Sequence, residues 1–166
     1  MDRWPRRAVT GLLLLLAPAA SPATAQQAVI VVRHAEKVDE SRDAALSAAG
    51  EARAMRLAGL LGDAGVTAIF ATEFQRTRRT VEPLAARLRL PVIAVPASDT
   101  AGLVARIRAE QPRGIVVACG HSNTVPDILR AFGAAETIAI GDAEYDNLFV
   151  LVPRGPGPPL LLRVRY

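Results

Sequence analysis

Cysteine and histidine are scarce in this chain of 166 residues: Cys119 is the single cysteine, and His34 and His121 are the two histidines. One cysteine cannot form an internal disulfide, so the hydrophobic core has to hold the fold together. A zinc site built from these three side chains is disfavoured, because their spacing matches no closed site and no fourth ligand stands out. We interpret Cys119 as a small buried hydrophobic residue.

Aromatic residues are also few, at 4% of the chain. Nucleic-acid-binding surfaces combine clustered Lys and Arg side chains with stacking aromatic rings. The sequence after residue 25 has no basic block interleaved with aromatics. We therefore expect no nucleic-acid partner.

The first 25 residues have the layout of a secretory signal peptide. A basic segment, MDRWPRR, precedes an apolar core, AVTGLLLLLAPAA, and the small residues SPATA end at Ala25. We predict cleavage after Ala25 and a periplasmic or secreted domain over residues 26–166, monomeric and without membrane contact after cleavage. An uncleaved anchor is the alternative, but the apolar run is shorter than the roughly 20 residues of a membrane span. Removal of the leader lowers the formal net charge from +4 to about +2.

Strand-like and helix-like segments alternate through most of the remaining sequence. Apolar, β-branched runs predict four strands, over 28–32, 66–72, 91–95 and 114–119. Apolar residues at helical spacing predict four helices, over 47–65, 72–88, 99–111 and 122–132. We expect the second helix to begin with a capping box at Thr72 and Gln75, and Pro83 to be a point where it can bend.

The last two apolar runs, 146–152 and 159–166, have no helix between them, which predicts an antiparallel pair at one edge of the sheet. The predicted fold class is therefore a three-layer α/β/α sandwich with a mostly parallel sheet and an antiparallel C-terminal edge.

Polar side chains gather where three of the predicted parallel strands end. These are Arg33, His34 and Glu36 after the first strand, Thr72, Glu73 and Arg76 after the second, and His121 and Ser122 after the fourth. Each group alone is typical of a polar turn or a solvated helix face. However, ligands in open α/β sheets bind beyond the carboxyl ends of the strands. The convergence of both histidines on that rim indicates a functional site.

Two arginines, two histidines and helix N-termini on one rim suit a dianionic phosphate. Guanidinium groups bind phosphate oxygens in a bidentate manner. Amides at the starts of the helices after Thr72 and Gly120 add positive dipole ends. Nearby arginines also lower the pKa of a histidine, which keeps its imidazole neutral and able to attack.

Three motifs resemble those of the histidine phosphatase superfamily, also called phosphoglycerate-mutase-like. VVRHAEK (31–37) is similar to its Arg-His-Gly signature, ATEFQRTRRT (71–80) to its second block and GHSNTVP (120–126) to its second-histidine block. The resemblance spans residues 28–132, in the expected order. Only 44 residues separate Arg76 from His121. The resemblance therefore implies a phosphoglycerate-mutase-like fold of the short single-domain branch, with an open pocket.

The resemblance also implies that His34 is the nucleophile and is transiently phosphorylated. Arg33, Arg76 and His121, with Ser122, would bind the phosphoryl group without a metal or any other cofactor, and water would then hydrolyse the phosphohistidine. Ala35 replaces the usual glycine of the signature, which is tolerated if its backbone keeps a negative φ.

The general acid is the least defined of the expected residues. Within the family it commonly lies between the second arginine and the second histidine, which leaves Glu82, Asp99 and Glu110. Glu82 and Glu110 should face away from the strand-end rim, so Asp99, at the start of the third helix, is the candidate. Its alternative role is a helix N-cap alone. Glu36, two residues after His34, is a further candidate acid.

We therefore expect an exported, metal-independent phosphatase that hydrolyses phosphate monoesters, with a small-molecule or envelope-sugar phosphate ester as substrate. One alternative is a phosphohistidine protein phosphatase, which the open pocket favours and export disfavours, because phosphohistidine relays work in the cytoplasm. Another is a non-catalytic phosphate- or glycan-binding module. The four expected catalytic residues Arg33, His34, Arg76 and His121 are all retained, which argues against a binding module.

Overall fold

A computed structural model describes residues 26–166. Its strands are β1 (Gln26–Arg33), β2 (Val66–Thr72), β3 (Val92–Val95), β4 (Gly114–Gly120), β5 (Asn147–Arg154) and β6 (Gly157–Arg165). Its helices are α1 (Ala48–Leu61), α2 (Gln75–Leu88), α3 (Thr100–Glu110) and α4 (Thr124–Ala131). The signal peptide predicted for residues 1–25 lies outside the described residues. Across the described part of the chain, every helix is too short or too polar to span a membrane.

One six-stranded sheet organises the protein, in the order β3-β2-β4-β1-β5-β6. The first four strands are parallel to one another. β5 pairs antiparallel with β1, and β6 pairs antiparallel with β5. This arrangement confirms the predicted α/β fold with a mostly parallel sheet and an antiparallel C-terminal edge.

Alternate residues of β1 bury their side chains on opposite faces of the sheet. Val29 and Val31 belong to a core cluster that also contains residues of α3 and α4. Ile30 and Val32 belong to a second cluster that contains residues of α1 and α2. A strand covered on both faces reads as a continuous apolar run, which is why this segment shows no alternation in the sequence.

The start of α2 differs from the prediction. The capping box at Thr72 and Gln75 is wrong: the helix begins three residues later, and Phe74, in the cap position, makes no side-chain cap bond. Instead, the Gln75 N–H donates to Asp43 Oδ1 at 2.7 Å. Because Asp43 lies in the loop between β1 and α1, this helix start is capped by a contact that the local sequence pattern does not contain. α2 then continues through Pro83.

Candidate active site

The two histidines lie side by side at the carboxyl ends of β1 and β4. The His34 N–H donates to the Gly120 carbonyl at 2.9 Å, which extends the parallel pairing of the two strands by one bond. The imidazole centroids of His34 and His121 are 5.3 Å apart, with the rings tilted by 65°. Both side chains are buried. The structure therefore brings together the two histidines that the sequence places 87 positions apart.

The ring nitrogens of His34 have different environments. Nδ1 lies 2.8 Å from the Ala35 carbonyl oxygen. A carbonyl can only accept, so Nδ1 carries the proton and Nε2 keeps its lone pair. Burial lowers the pKa of His34 to about 3; the Ala35 hydrogen bond opposes this, and the charges of His121, Arg33 and Arg76 add to it. His34 is therefore a neutral base at neutral pH.

His121 is neutral for similar reasons. Burial and the positive charge of Arg76 lower its pKa to about 4, while Glu73 acts in the opposite direction. Its backbone N–H donates to Thr124 Oγ1 at 2.8 Å, so this amide is already bonded. The backbone amide is therefore engaged, whereas the imidazole Nε2 has no partner within the described residues.

Arg33 is held by the loop that precedes β5. Its Nη1 donates to the carbonyls of Gly141 at 2.8 Å and Asp142 at 3.0 Å. Its guanidinium carbon lies 4.3 Å from the centroid of the Tyr145 ring. These contacts fix the guanidinium in one orientation.

Two buried nitrogen atoms at this rim, Arg33 Nε and His121 Nε2, make no hydrogen bond within the described structure. A buried polar atom without a partner is costly and rare. Arg33 is next to His34 in the chain, and the His121 ring contacts the His34 ring, so both atoms belong to the group of side chains around the two histidines.

Arg76 comes from the first turn of α2. Its Nη1 donates to the Arg42 carbonyl at 2.8 Å, and its guanidinium carbon lies 4.5 Å from the Phe74 ring centroid. Phe74 in turn contacts the His121 ring edge-on, at 5.4 Å between centroids. The pocket here has a volume of about 330 Å³. Its lining consists of Phe74, Arg76, Ala97, Ser98, His121, Asn123 and Thr124.

Part of the chain that contains this site matches a known protein family. The family model described as histidine phosphatase superfamily (branch 1) matches residues 29–98, which contain Arg33, His34 and Arg76. Over this segment the chain is similar to the histidine phosphatase superfamily. The similarity supports a phosphatase activity in general terms. No curated protein sequence matches this chain significantly.

Several solved structures have a similar fold over most of this chain. The protein histidine phosphatase SixA, solved with tungstate, is 17% identical with a TM-score of 0.69, over 83% of this chain and 96% of its own. A mycobacterial glucosyl-3-phosphoglycerate phosphatase is 14% identical with a TM-score of 0.67, over 84% and 98%. A phosphoserine phosphatase from Entamoeba histolytica is 12% identical with a TM-score of 0.64, over 84% and 96%. At these identities the likeness shows a common fold.

The carboxylates predicted as general acids are both engaged in other contacts. Asp99 is the N-cap of α3, and its Oδ1 accepts from the Gly102 N–H at 2.8 Å. Glu36 makes a bidentate ion pair with Arg53, whose Nη2 lies 2.6 Å from Glu36 Oε1. The Arg53 hydrogen bonds lower the pKa of Glu36, so this carboxyl stays ionised. The role of either residue as a proton donor stays a prediction.

Ser122, expected at the phosphate, is half-buried in the turn before α4. The pocket lining includes its neighbours His121 and Asn123 but not Ser122. Its contact with phosphate also stays a prediction.

Ala35 and Cys119 have environments compatible with the predictions made for them. Among residues 26–166, Arg89 is the one non-glycine residue with a positive φ, so Ala35 has the negative φ that its methyl group requires. Cys119 is buried, and burial raises the pKa of its thiol, which stays protonated. Within the described residues, no three His, Cys, Asp or Glu side chains are placed to hold a metal ion.

The sequence did not predict three residues that contact the expected site residues or their backbone. Tyr145 packs between Arg33 and His34, with its centroid 5.9 Å from that of His34. Phe74 packs between Arg76 and His121. Thr80 contacts the backbone of Ala35. Phe74 and Thr80 lie inside the second motif, which was the available signal, whereas Tyr145 lies in a stretch without a regular pattern.

Proposed function

We propose that this protein is an exported, metal-independent phosphatase that hydrolyses phosphate monoesters through a phosphohistidine on His34. One observation supports the proposal most: His34 Nε2 keeps its lone pair, and the neighbouring side chains of Arg33 and His121 each carry a buried nitrogen without a partner, Nε and Nε2. A nucleophile in a group of unpartnered polar side chains matches the needs of phosphoryl transfer, which depends on positioning and on stabilising charge.

In the first step, Arg33, Arg76 and His121 bind the phosphate oxygens, and His34 Nε2 attacks phosphorus. A new P–N bond forms as the ester P–O bond breaks, and the leaving alkoxide takes a proton from water or from a general acid, for which Asp99 and Glu36 are the candidates. The imidazole of the phosphohistidine becomes positively charged, and its Nδ1–H continues to donate to the Ala35 carbonyl. This hydrogen bond stabilises the intermediate more than the neutral ring, because bonds to charged groups are stronger.

In the second step, water attacks the phosphorus of the phosphohistidine. The P–N bond breaks, inorganic phosphate leaves, and His34 returns to its neutral form. The two guanidinium groups stabilise the negative charge that develops on the phosphoryl oxygens in both steps. Removing one such donor typically lowers the rate about 10²–10³-fold.

Export is supported by the sequence of residues 1–25, whose basic, apolar and small-residue segments match a signal peptide. The intact mass of the protein recovered outside the cytoplasm tests this part. A mass that corresponds to a chain beginning after Ala25 supports export with cleavage. A mass that corresponds to a chain beginning at Met1 contradicts it.

The activity is tested with purified protein and four substrates: p-nitrophenyl phosphate, a sugar phosphate, a phosphoserine peptide and a phosphohistidine peptide. We expect turnover of esters and a radiolabelled phosphoenzyme that survives base and is lost in acid. His34→Ala should abolish both, and Arg78→Ala, an exposed change on α2, should abolish neither. Full activity of His34→Ala would contradict the mechanism.

A second candidate function is the hydrolysis of phosphohistidine in proteins. The structural likeness to the protein histidine phosphatase SixA favours it. The engagement of Asp99 and Glu36 elsewhere also favours it, since a site without a free acid suits a leaving group that needs little protonation. Turnover of the phosphohistidine peptide alone would select this function over the first.

A further inference from the structure

The hydroxyl of Thr80 connects two parts of the site that are distant in sequence. Thr80 is fully buried on α2. Its Oγ1 accepts from the Ala35 N–H at 2.9 Å and lies 2.7 Å from the Arg76 carbonyl, to which it donates. A hydroxyl has one proton and two lone pairs, so a single side chain can make both bonds. Thr80 thereby joins the residue after the nucleophile to the backbone of the second arginine.

Ala35 transmits this contact to the nucleophile. Its N–H bonds Thr80, and its carbonyl accepts from Nδ1–H of His34 at 2.8 Å. Ala35 is fully buried, so water cannot replace either bond. The backbone on both sides of this residue is therefore fixed by hydrogen bonds.

We propose that Thr80 is a positioning residue that sets the tautomer of His34 by holding the Ala35 backbone in place. With the Ala35 carbonyl held at Nδ1, the proton stays on that nitrogen and Nε2 keeps the lone pair. If the carbonyl moves away, the Nδ1 proton loses its acceptor and the other tautomer, with the proton on Nε2, becomes populated. That tautomer cannot attack phosphorus at Nε2.

The hydrogen bonds of Thr80 reach beyond its own helix. A threonine within a helix often donates to the carbonyl four residues earlier, and the bond to Arg76 is of this kind. The bond from the Ala35 N–H is additional and crosses from β1 to α2. Thr77, on the same helix and equally buried, bonds only Thr72 and Phe74 of its own segment in the described structure. Thr77 is therefore a matched control for the loss of a buried hydroxyl.

The test is the ¹⁵N spectrum of the imidazoles, whose shifts distinguish a protonated from an unprotonated ring nitrogen. Untagged protein has two histidines, and His121→Ala identifies the signals of His34. In the wild type at neutral pH we expect the Nδ1-protonated form. In Thr80→Val, which keeps the shape but lacks the hydroxyl, we expect a mixture of both tautomers. Thr80→Ser should restore the wild-type signals, and Thr77→Val should not change them.

The kinetic expectation rests on the proposed function. Formation of the phosphoenzyme from p-nitrophenyl phosphate should be about 10–100-fold slower in Thr80→Val, the range seen when a partner that orients a metal-bound histidine is lost. Thr80→Ser should stay near the wild type. If Thr80→Val does not fold, Thr80→Ala removes the same hydroxyl without placing a methyl group against the Ala35 N–H and the Arg76 carbonyl, and the same signals are measured.

Two results would overturn the proposal: a His34 that stays protonated on Nδ1 in every variant without the hydroxyl, or a serine variant that behaves like the valine variant. The spectrum needs no turnover. An absence of activity in the wild type would therefore contradict the proposed function, while the tautomer measurement would still decide the role of Thr80.

Discussion

Mild acid should destabilise this protein, because the folded chain buries two neutral imidazoles. The pKa of His34 is about 3 and that of His121 about 4 in the folded chain. In the unfolded chain each returns to about 6.5. A group whose folded pKa is depressed stabilises the fold fully above its unfolded pKa, and this contribution is lost as pH falls toward the folded pKa. Stability should therefore fall from about pH 6.5 downward.

The magnitude follows from proton linkage. Between about pH 7 and about pH 5.5 the folded imidazoles stay neutral while the unfolded ones bind protons. Over this pH range each histidine lowers the free energy of unfolding by about 1 kcal/mol, and the pair lowers it by about 2 kcal/mol. Carboxylates contribute little here, because they titrate mostly below this range.

Urea unfolding followed by circular dichroism at the two pH values, at equal ionic strength, measures this loss. The double variant His34→Gln/His121→Gln carries no imidazole, so its stability should hardly change between the two pH values. Each single variant should lose about half as much stability as the wild type. An equal loss in the wild type and the double variant would refute the reasoning, since the protons would then be bound elsewhere.

Further predictions concern the ligand and the chemistry. Arg76→Ala should weaken phosphate binding by about 1.5–3 kcal/mol in calorimetry, the worth of hydrogen bonds to a charged group, whereas Arg78→Ala should not change it. EDTA should leave activity unaltered. Loss of activity in EDTA that Zn²⁺ or Mg²⁺ restores would contradict the metal-free mechanism. Asp99→Asn should slow alkyl phosphate hydrolysis about 10²-fold or more while sparing p-nitrophenyl phosphate. Equal effects on both substrates would leave Asp99 a helix cap and make Glu36 the next candidate.

Much of the fold could be predicted because its signals are local. β2 has the bounds that its apolar run predicts, Val66–Thr72. The rule that strand ends share one rim was enough to bring His34 and His121 together, because β1 and β4 are neighbours in the sheet.

The remaining features depend on contacts between distant segments. The cap of α2 comes from Asp43, 32 positions before the amide that it accepts from. Arg33 is held by carbonyls of Gly141 and Asp142, more than 100 positions later. Neither contact leaves a periodic pattern in the chain, because each joins segments that only the folded structure brings together.

The central place of β1 has a consequence for how the chain folds. β1 is the first strand in sequence, yet its partners come late: Gln26 pairs with Gly114, and Val32 pairs with Leu148. Such non-local pairing makes folding slow, because a long loop has to close before the contacts stabilise it. A nascent chain without β4 and β5 has no neighbours for its first strand. The rim where Arg33 meets His121 can therefore form only once nearly the whole domain has been synthesised. A chain that binds anions should also show cooperative unfolding, and shorter nascent chains should show neither property.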